Sequence, residues 1–145
     1  MVKKHHLCLI LLVSAVILSS IILPAAGIEA ETYSILTDAP AGLKPGQSGD
    51  ITVKIKAKQG FKINNAYPIK LKMSAPPDGI QYKKLTLKRE DGMLEADGKI
   101  FVFKVPVTAV QAGTFRVKGE LKFSVCNDSR CVIEKKTITA NMVVH

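Results

Sequence analysis

Phe115-Arg116-Val117-Lys118-Gly119-Glu120-Leu121-Lys122-Phe123-Ser124-Val125-Cys126-Asn127-Asp128-Ser129-Arg130-Cys131 alternates apolar and polar side chains up to a short polar turn. Phe115, Val117, Leu121, Phe123 and Val125 share one parity, the period-two signature of a half-buried β-strand. After Cys131 the alternation resumes, with Ile138, Ala140, Met142 and Val144 on one side. Two long strands around Asn127-Asp128-Ser129-Arg130 predict a β-hairpin. If the strands pair in register, Cys126 and Cys131 face one another across its mouth.

The pattern extends towards the N-terminus. Ile51, Val53, Ile55 and Ala57 alternate with Thr52, Lys54, Lys56 and Lys58, a strand with lysines outward. Ile69, Leu71 and Met73 repeat it before Ala75-Pro76-Pro77-Asp78-Gly79 breaks it. Residues 80–88 read as another strand and residues 100–108 as the next. Pro106 suits an edge or a bulge, because it cannot donate to a sheet ladder. Seven or eight short strands split by Gly, Pro and Asp turns predict an all-β fold, an immunoglobulin-like two-sheet β-sandwich. The apolar faces should suffice for a core without a metal or many bridges.

The first residues read differently. Met1-Val2-Lys3-Lys4-His5-His6 is a basic head, residues 7–23 are an apolar run softened by Ser14, Ser19 and Ser20, and Pro24-Ala25-Ala26-Gly27 supplies a helix breaker and small residues. This is the three-part pattern of a secretory signal peptide over residues 1–27, with Ile28-Glu29-Ala30 offering a second cut. The run approaches the length of a membrane span, so an uncleaved anchor is the alternative. Cys8 leaves with the signal. Residues 28–145 then form one domain of 118 residues, with no membrane span once the signal is gone. Export, to a periplasm or beyond, places Cys126 and Cys131 where a disulfide persists. Losing Lys3 and Lys4 takes the formal charge from +9 to +7. The remaining lysines are spread along strands with no interleaved aromatic platforms, which reads as a solvated basic face rather than a nucleic-acid interface.

Absences narrow the chemistry. After signal removal the remaining histidine is His145 at the C-terminus, which removes a Ser-His-Asp triad, a histidine base and an ordinary zinc site. Glu90, Asp91, Glu95 and Asp97 surround two Asp-Gly pairs and read as turn residues. Met73, Met93 and Met142 are soft enough for copper but lie in different segments, two of them at core parity. No cofactor is expected. For the cysteine pair two readings stand. One is a structural staple, the usual fate of such a pair in a secreted domain. The other is redox exchange: closing so short a loop stabilises by only about 2 kcal/mol, and strained or exposed bridges are the more reducible. Arg130 would favour a thiolate at Cys131, while Asp128 opposes it.

Gly60-Phe61-Lys62-Ile63-Asn64-Asn65-Ala66-Tyr67-Pro68, Phe103-Lys104-Val105-Pro106-Val107, and Gly113-Thr114-Phe115 leading into Lys122-Phe123-Ser124-Val125-Cys126 and on to Cys131 resemble a known family. It is the N-terminal immunoglobulin-like domain of the transmembrane thiol–disulfide reductase DsbD, with its stand-alone bacterial relatives. The resemblance covers residues 46–144. It implies that the cysteines shuttle between disulfide and dithiol, taking electrons from a membrane donor and passing them to thioredoxin-like or other periplasmic thiol proteins. It assigns the mixed disulfide to Cys131 and its resolution to Cys126. It also implies a cap loop over the sulfurs, which here includes Asp91, Gly92, Met93 and Leu94. Where the family uses aromatic side chains in that loop, Met93 and Leu94 stand here; Val132-Ile133 replace the prolines that commonly follow the second cysteine. The expected activity is thiol–disulfide exchange with separate partners. The alternatives are a non-catalytic interaction domain with a static disulfide and, third, a metal-handling accessory.

Overall fold

The computed structural model describes residues 25–145. The expected signal therefore lies, up to Pro24, outside the described residues. Eleven strands follow in chain order: β1 Ala26–Glu29, β2 Tyr33–Asp38, β3 Ser48–Ala57, β4 Lys62–Ile63, β5 Lys70–Met73, β6 Ile80–Tyr82, β7 Thr86–Lys88, β8 Gly92–Glu95, β9 Ile100–Ala109, β10 Gly113–Cys126 and β11 Cys131–Val144. All named pairings are antiparallel. One sheet runs β1-β2-β3-β9, with β6 and β8 both pairing the far side of β9. The other runs β11-β10-β5-β7, with β4 also on β10. The two sheets make an all-β, immunoglobulin-like sandwich. Among the described residues no helix is long and apolar enough to cross a membrane.

The expected hairpin is the spine of the second sheet. β10 and β11 pair from Gly113 opposite Val144 to Cys126 opposite Cys131, without a bulge. The apolar parity of β10 and the run Ile138, Ala140, Met142, Val144 are buried. Gly119 continues that buried parity. A Cβ there would meet the Met73 sulfur at 2.9 Å and the Lys72 carbonyl at 3.2 Å, so the missing side chain lets β5 lie close against β10. From the first sheet Ile51, Val53, Ile55, Phe101, Phe103 and Val105 close the core from the opposite side. Tyr33 meets Phe123 edge-on across the sandwich at 4.8 Å. Met73 and Met142 are core residues, and Met93 is exposed.

Three expectations change. Residues 80–88 are two strands rather than one: β6 pairs β9 in the first sheet and β7 pairs β5 in the second. The switch has a physical cause in the sequence, because buried Ile80 and buried Leu87 lie on opposite parities and Lys83-Lys84 separates them. A chain that keeps its apolar residues inward across such a parity break must change sheets. Pro106 sits inside β9, which carries partners on both sides, so it is not on an outer strand. Between Phe103 opposite Gly92 and Val107 opposite Tyr82, however, that side of β9 has no paired strand. The missing N–H falls at this local edge, where the Pro106 carbonyl accepts from the Lys83 N–H at 3.2 Å. Finally, the short strands β1, β2, β4 and β8 bring the total to eleven, against the seven or eight expected.

This closed core predicts that the fold survives reduction. Breaking Cys126–Cys131 should cost about 2 kcal/mol and leave the β-type far-UV circular dichroism spectrum in dithiothreitol at 25 °C. Collapse to a random-coil spectrum would make the bridge a staple.

Candidate functional site

Asn127 builds the hairpin turn. Its side-chain oxygen accepts from the Ser129 N–H at 2.9 Å and the Arg130 N–H at 2.8 Å, while its own N–H donates to the Arg130 carbonyl at 2.9 Å. An asparagine folding back on the amides two and three residues on is a stable local turn, and it delivers Cys126 and Cys131 opposite each other. The two are disulfide-bonded, with Cα atoms 4.0 Å apart.

Parity fixes where the bridge points. Val125 and Phe123 are inward, so Cys126, Ser124 and Lys122 project from the outer face of the second sheet, with Cys131 and Ile133 beside them on β11. Cys131 is exposed and Cys126 half-buried. The difference comes from β4 and the loop after it. Lys62 pairs with Cys126 and Ile63 with Val125. The Asn64 N–H then donates to the Ser124 carbonyl at 2.8 Å. Ser124 is 0% exposed although its parity is outward, so this face is covered on the β10 side. On the β11 side its partner Ile133 is 61% exposed.

Each sulfur has a polar neighbour. Asn64 accepts the Ala66 N–H at 3.0 Å on its side-chain oxygen, which turns its amide nitrogen towards Cys131 Sγ, 4.0 Å away. Ser124 Oγ lies 3.9 Å from Cys126 Sγ. A donor beside a sulfur stabilises the thiolate that exchange creates there. The Arg130 guanidinium, adjacent to Cys131 in sequence, lies over the Phe61 ring at 5.9 Å. Asn64 and Ser124 were not singled out as site residues; Asn64 lies within the Gly60-to-Pro68 segment that carries part of the resemblance.

The segment expected to cap the sulfurs is a pinned strand. Met93 pairs with Val102 and Leu94 with Phe101, and both side chains are exposed. Gly92 is needed for the approach, since a Cβ there would stand 2.4 Å from the Phe101 ring. Asp91 anchors the entry. Both its oxygens lie 2.7 Å from Lys84 Nζ, and one accepts the Lys88 N–H at 2.9 Å. Lys84 first, and then the Lys88 amide, hold the Asp91 carboxyl below its ordinary range. The pin is therefore in place above the ordinary aspartate pKa and is lost as pH falls through the lowered one. Its neighbour Arg89 grips the backbone and side-chain oxygens of Asn65. The start of the segment is thus tied to the loop that carries Asn64 and reaches Cys131. At its other end Ala96 and Asp97 adopt left-handed φ of 53° and 54°. Strain of this kind in non-glycine residues persists only where neighbouring structure enforces it, and Gly98 next to them lies beside Lys62.

No protein-family model and no curated protein matches the chain. Among solved structures it is similar to part of native alpha-2-macroglobulin from Escherichia coli, at 13% identity over 81% of this chain, with a TM-score of 0.43. This chain spans 16% of the length of that one. It is also similar to WR4, a C. elegans MSP family member, at 12% identity over 77% of this chain and 97% of that one, with a TM-score of 0.39. The third is AggA, the major subunit of aggregative adherence fimbriae type I from Escherichia coli, at 11% identity over 78% and 95% of the two chains, with a TM-score of 0.41.

Proposed function

We propose that the chain is an exported thiol–disulfide exchange module that passes reducing equivalents to or from protein thiols through Cys126 and Cys131. The observation that carries the reading is the position of the bridge. It closes the end of a hairpin already held by a fourteen-residue ladder, where a cross-link adds least to the fold. It also lies on the outer face, with Cys131 exposed. A staple placed for stability would join distant segments. A formed disulfide fits an oxidising compartment, as export implies.

In exchange, a partner thiolate attacks Cys131 Sγ, the Cys126–Cys131 bond breaks, and Cys126 leaves as thiolate and takes up a proton. The partner's second thiolate then attacks its own sulfur in the mixed disulfide and releases Cys131. The partner ends oxidised and this domain reduced by two electrons; the reverse sequence oxidises the domain. Exposure favours Cys131 as the sulfur attacked. Reduced thioredoxin, mixed with the folded oxidised domain in native buffer, should reduce the bridge. A bridge that stays oxidised until the domain is unfolded would overturn the proposal.

The resemblance assigns Met93 and Leu94 to cover the reduced thiols, whereas here both lie exposed on β8 of the first sheet. If the segment closes over the sulfurs once they are reduced, replacing both with glycine should raise the alkylation rate of the reduced domain, because access limits thiol reactivity. An unchanged rate would take the segment out of the mechanism.

A further inference from the structure

The outer face of the sheet that carries the disulfide gathers cations from distant parts of the sequence. The registers place Lys88 opposite Lys70, Lys70 opposite Lys122, and Lys122 opposite Lys135. One row of exposed lysines therefore crosses β7, β5, β10 and β11, about 15 Å from end to end at ordinary strand spacing. Lys72, Lys118 and Arg116 lie on the same face beyond the row, and Lys62 stands opposite Cys126. Against them the outer strand positions hold one carboxylate, Glu120, 2.9 Å from Lys135. Like charges directly opposite each other on a sheet repel. Among the described residues no carboxylate pairs with Lys70, Lys88 or Lys122, although Lys122 lies over the Tyr67 ring at 5.8 Å. The isolated fold gains nothing from such a row.

The disulfide opens onto the same face. Cys126 lies four residues beyond Lys122 and Cys131 four before Lys135, about 14 Å along the strands. Ile133 stands between on the open side. A protein that brings its sulfur to Cys131 from this side covers Ile133 and comes to rest on the lysines. We infer that this face docks an acidic protein surface flanking the reactive cysteine of the exchange partner, an inference that rests on the exchange reading above. Surfaces that bind lipid mix cations with apolar side chains that insert. Here Thr86, Thr137 and Thr139 stand among the cations, and the exposed apolar residue is at the sulfur end. Single-stranded nucleic acid would require a series of aromatic platforms, and Tyr67 alone borders the row.

The test uses two peptides, each with one cysteine activated as a thionitrobenzoate disulfide, one flanked by glutamates and one by lysines. Attack of Cys131 forms the peptide disulfide and expels coloured thionitrobenzoate, and Cys126 then releases the peptide as thiol. At about 10 mM salt, where charges act over about 30 Å, the acidic peptide should react at least about tenfold faster with the reduced domain. The ratio should approach one at about 1 M salt, where that range is about 3 Å. Lys70→Glu/Lys122→Glu should invert the preference and Lys70→Gln/Lys122→Gln weaken it, with thermal melts reporting that both variants fold. A ratio near one at low salt, or one untouched by these substitutions, would overturn the docking inference while leaving exchange standing. Release from neither peptide would overturn exchange itself. Co-sedimentation with phosphatidylglycerol vesicles that the same substitutions abolish, without any peptide preference, would give the face to a membrane and overturn the inference.

Discussion

Cys126→Ser should accumulate mixed disulfides with exported thioredoxin-like proteins in cells, as higher-mass bands that vanish on reduction, and Cys131→Ser should accumulate few. The asymmetry follows from geometry. Cys131 is exposed, has Asn64 as a donor neighbour, and lies beside open Ile133. Cys126 is half-buried between β4 and covered Ser124. An attacking thiolate must reach the partner's sulfur, whereas a resolving thiolate need reach only its neighbour across the hairpin. Without Cys126 the first bond forms and cannot be resolved. Without Cys131 the first attack is hindered. A static bridge predicts that neither variant captures a defined partner. Equal capture by both would leave exchange in place and overturn the division of roles.

Phe123→Ala should destabilise the domain by about 3–5 kcal/mol, more than loss of the disulfide. Phe123 is 0% exposed, lies on the central strand β10, and meets Tyr33 of the opposite sheet edge-on. Its removal opens a void that two packed sheets cannot collapse to fill, so lost burial and lost contacts add. Cys126→Ser/Cys131→Ser leaves the β10–β11 ladder and the core untouched. Urea unfolding compares them directly: the midpoint should fall further for Phe123→Ala than for the double serine variant. The reverse order would mean that the bridge, not the core, holds the sandwich together.

The long strands were legible because each buries one parity. Phe115 to Val125, Ile138 to Val144 and Ile51 to Ala57 all carry that signal, and the hairpin and facing cysteines follow from it. The shorter elements were not. β4 has too few residues to show a period and β8 buries none of its side chains, and they are strands because Cys126 and Val102 offer partners at those positions. The sheet switch within residues 80–88 was written in the parity of Ile80 and Leu87 and in the Lys83-Lys84 break between them, but no Gly or Pro marked it as a turn. The lysines at positions 70, 88, 122 and 135 read as dispersed along the sequence, since only register brings them into one row. Asn64 escaped for a similar reason: its approach to Cys131 depends on how the loop after β4 folds back over Ser124.

The central claim is that Cys126–Cys131 exchanges electrons rather than staples the fold, and the reduction potential of the folded domain tests it most directly. Equilibration in graded glutathione buffers, extended with dithiothreitol at the reducing end and quenched by alkylation, gives the fraction oxidised at each potential. Structural disulfides of secreted proteins lie below about −300 mV. The exposed bridge of this hairpin is predicted above that limit, half-reduced within the range glutathione can set. A midpoint below about −300 mV, reached only in dithiothreitol, would contradict the account and leave an immunoglobulin-like interaction domain with a static disulfide.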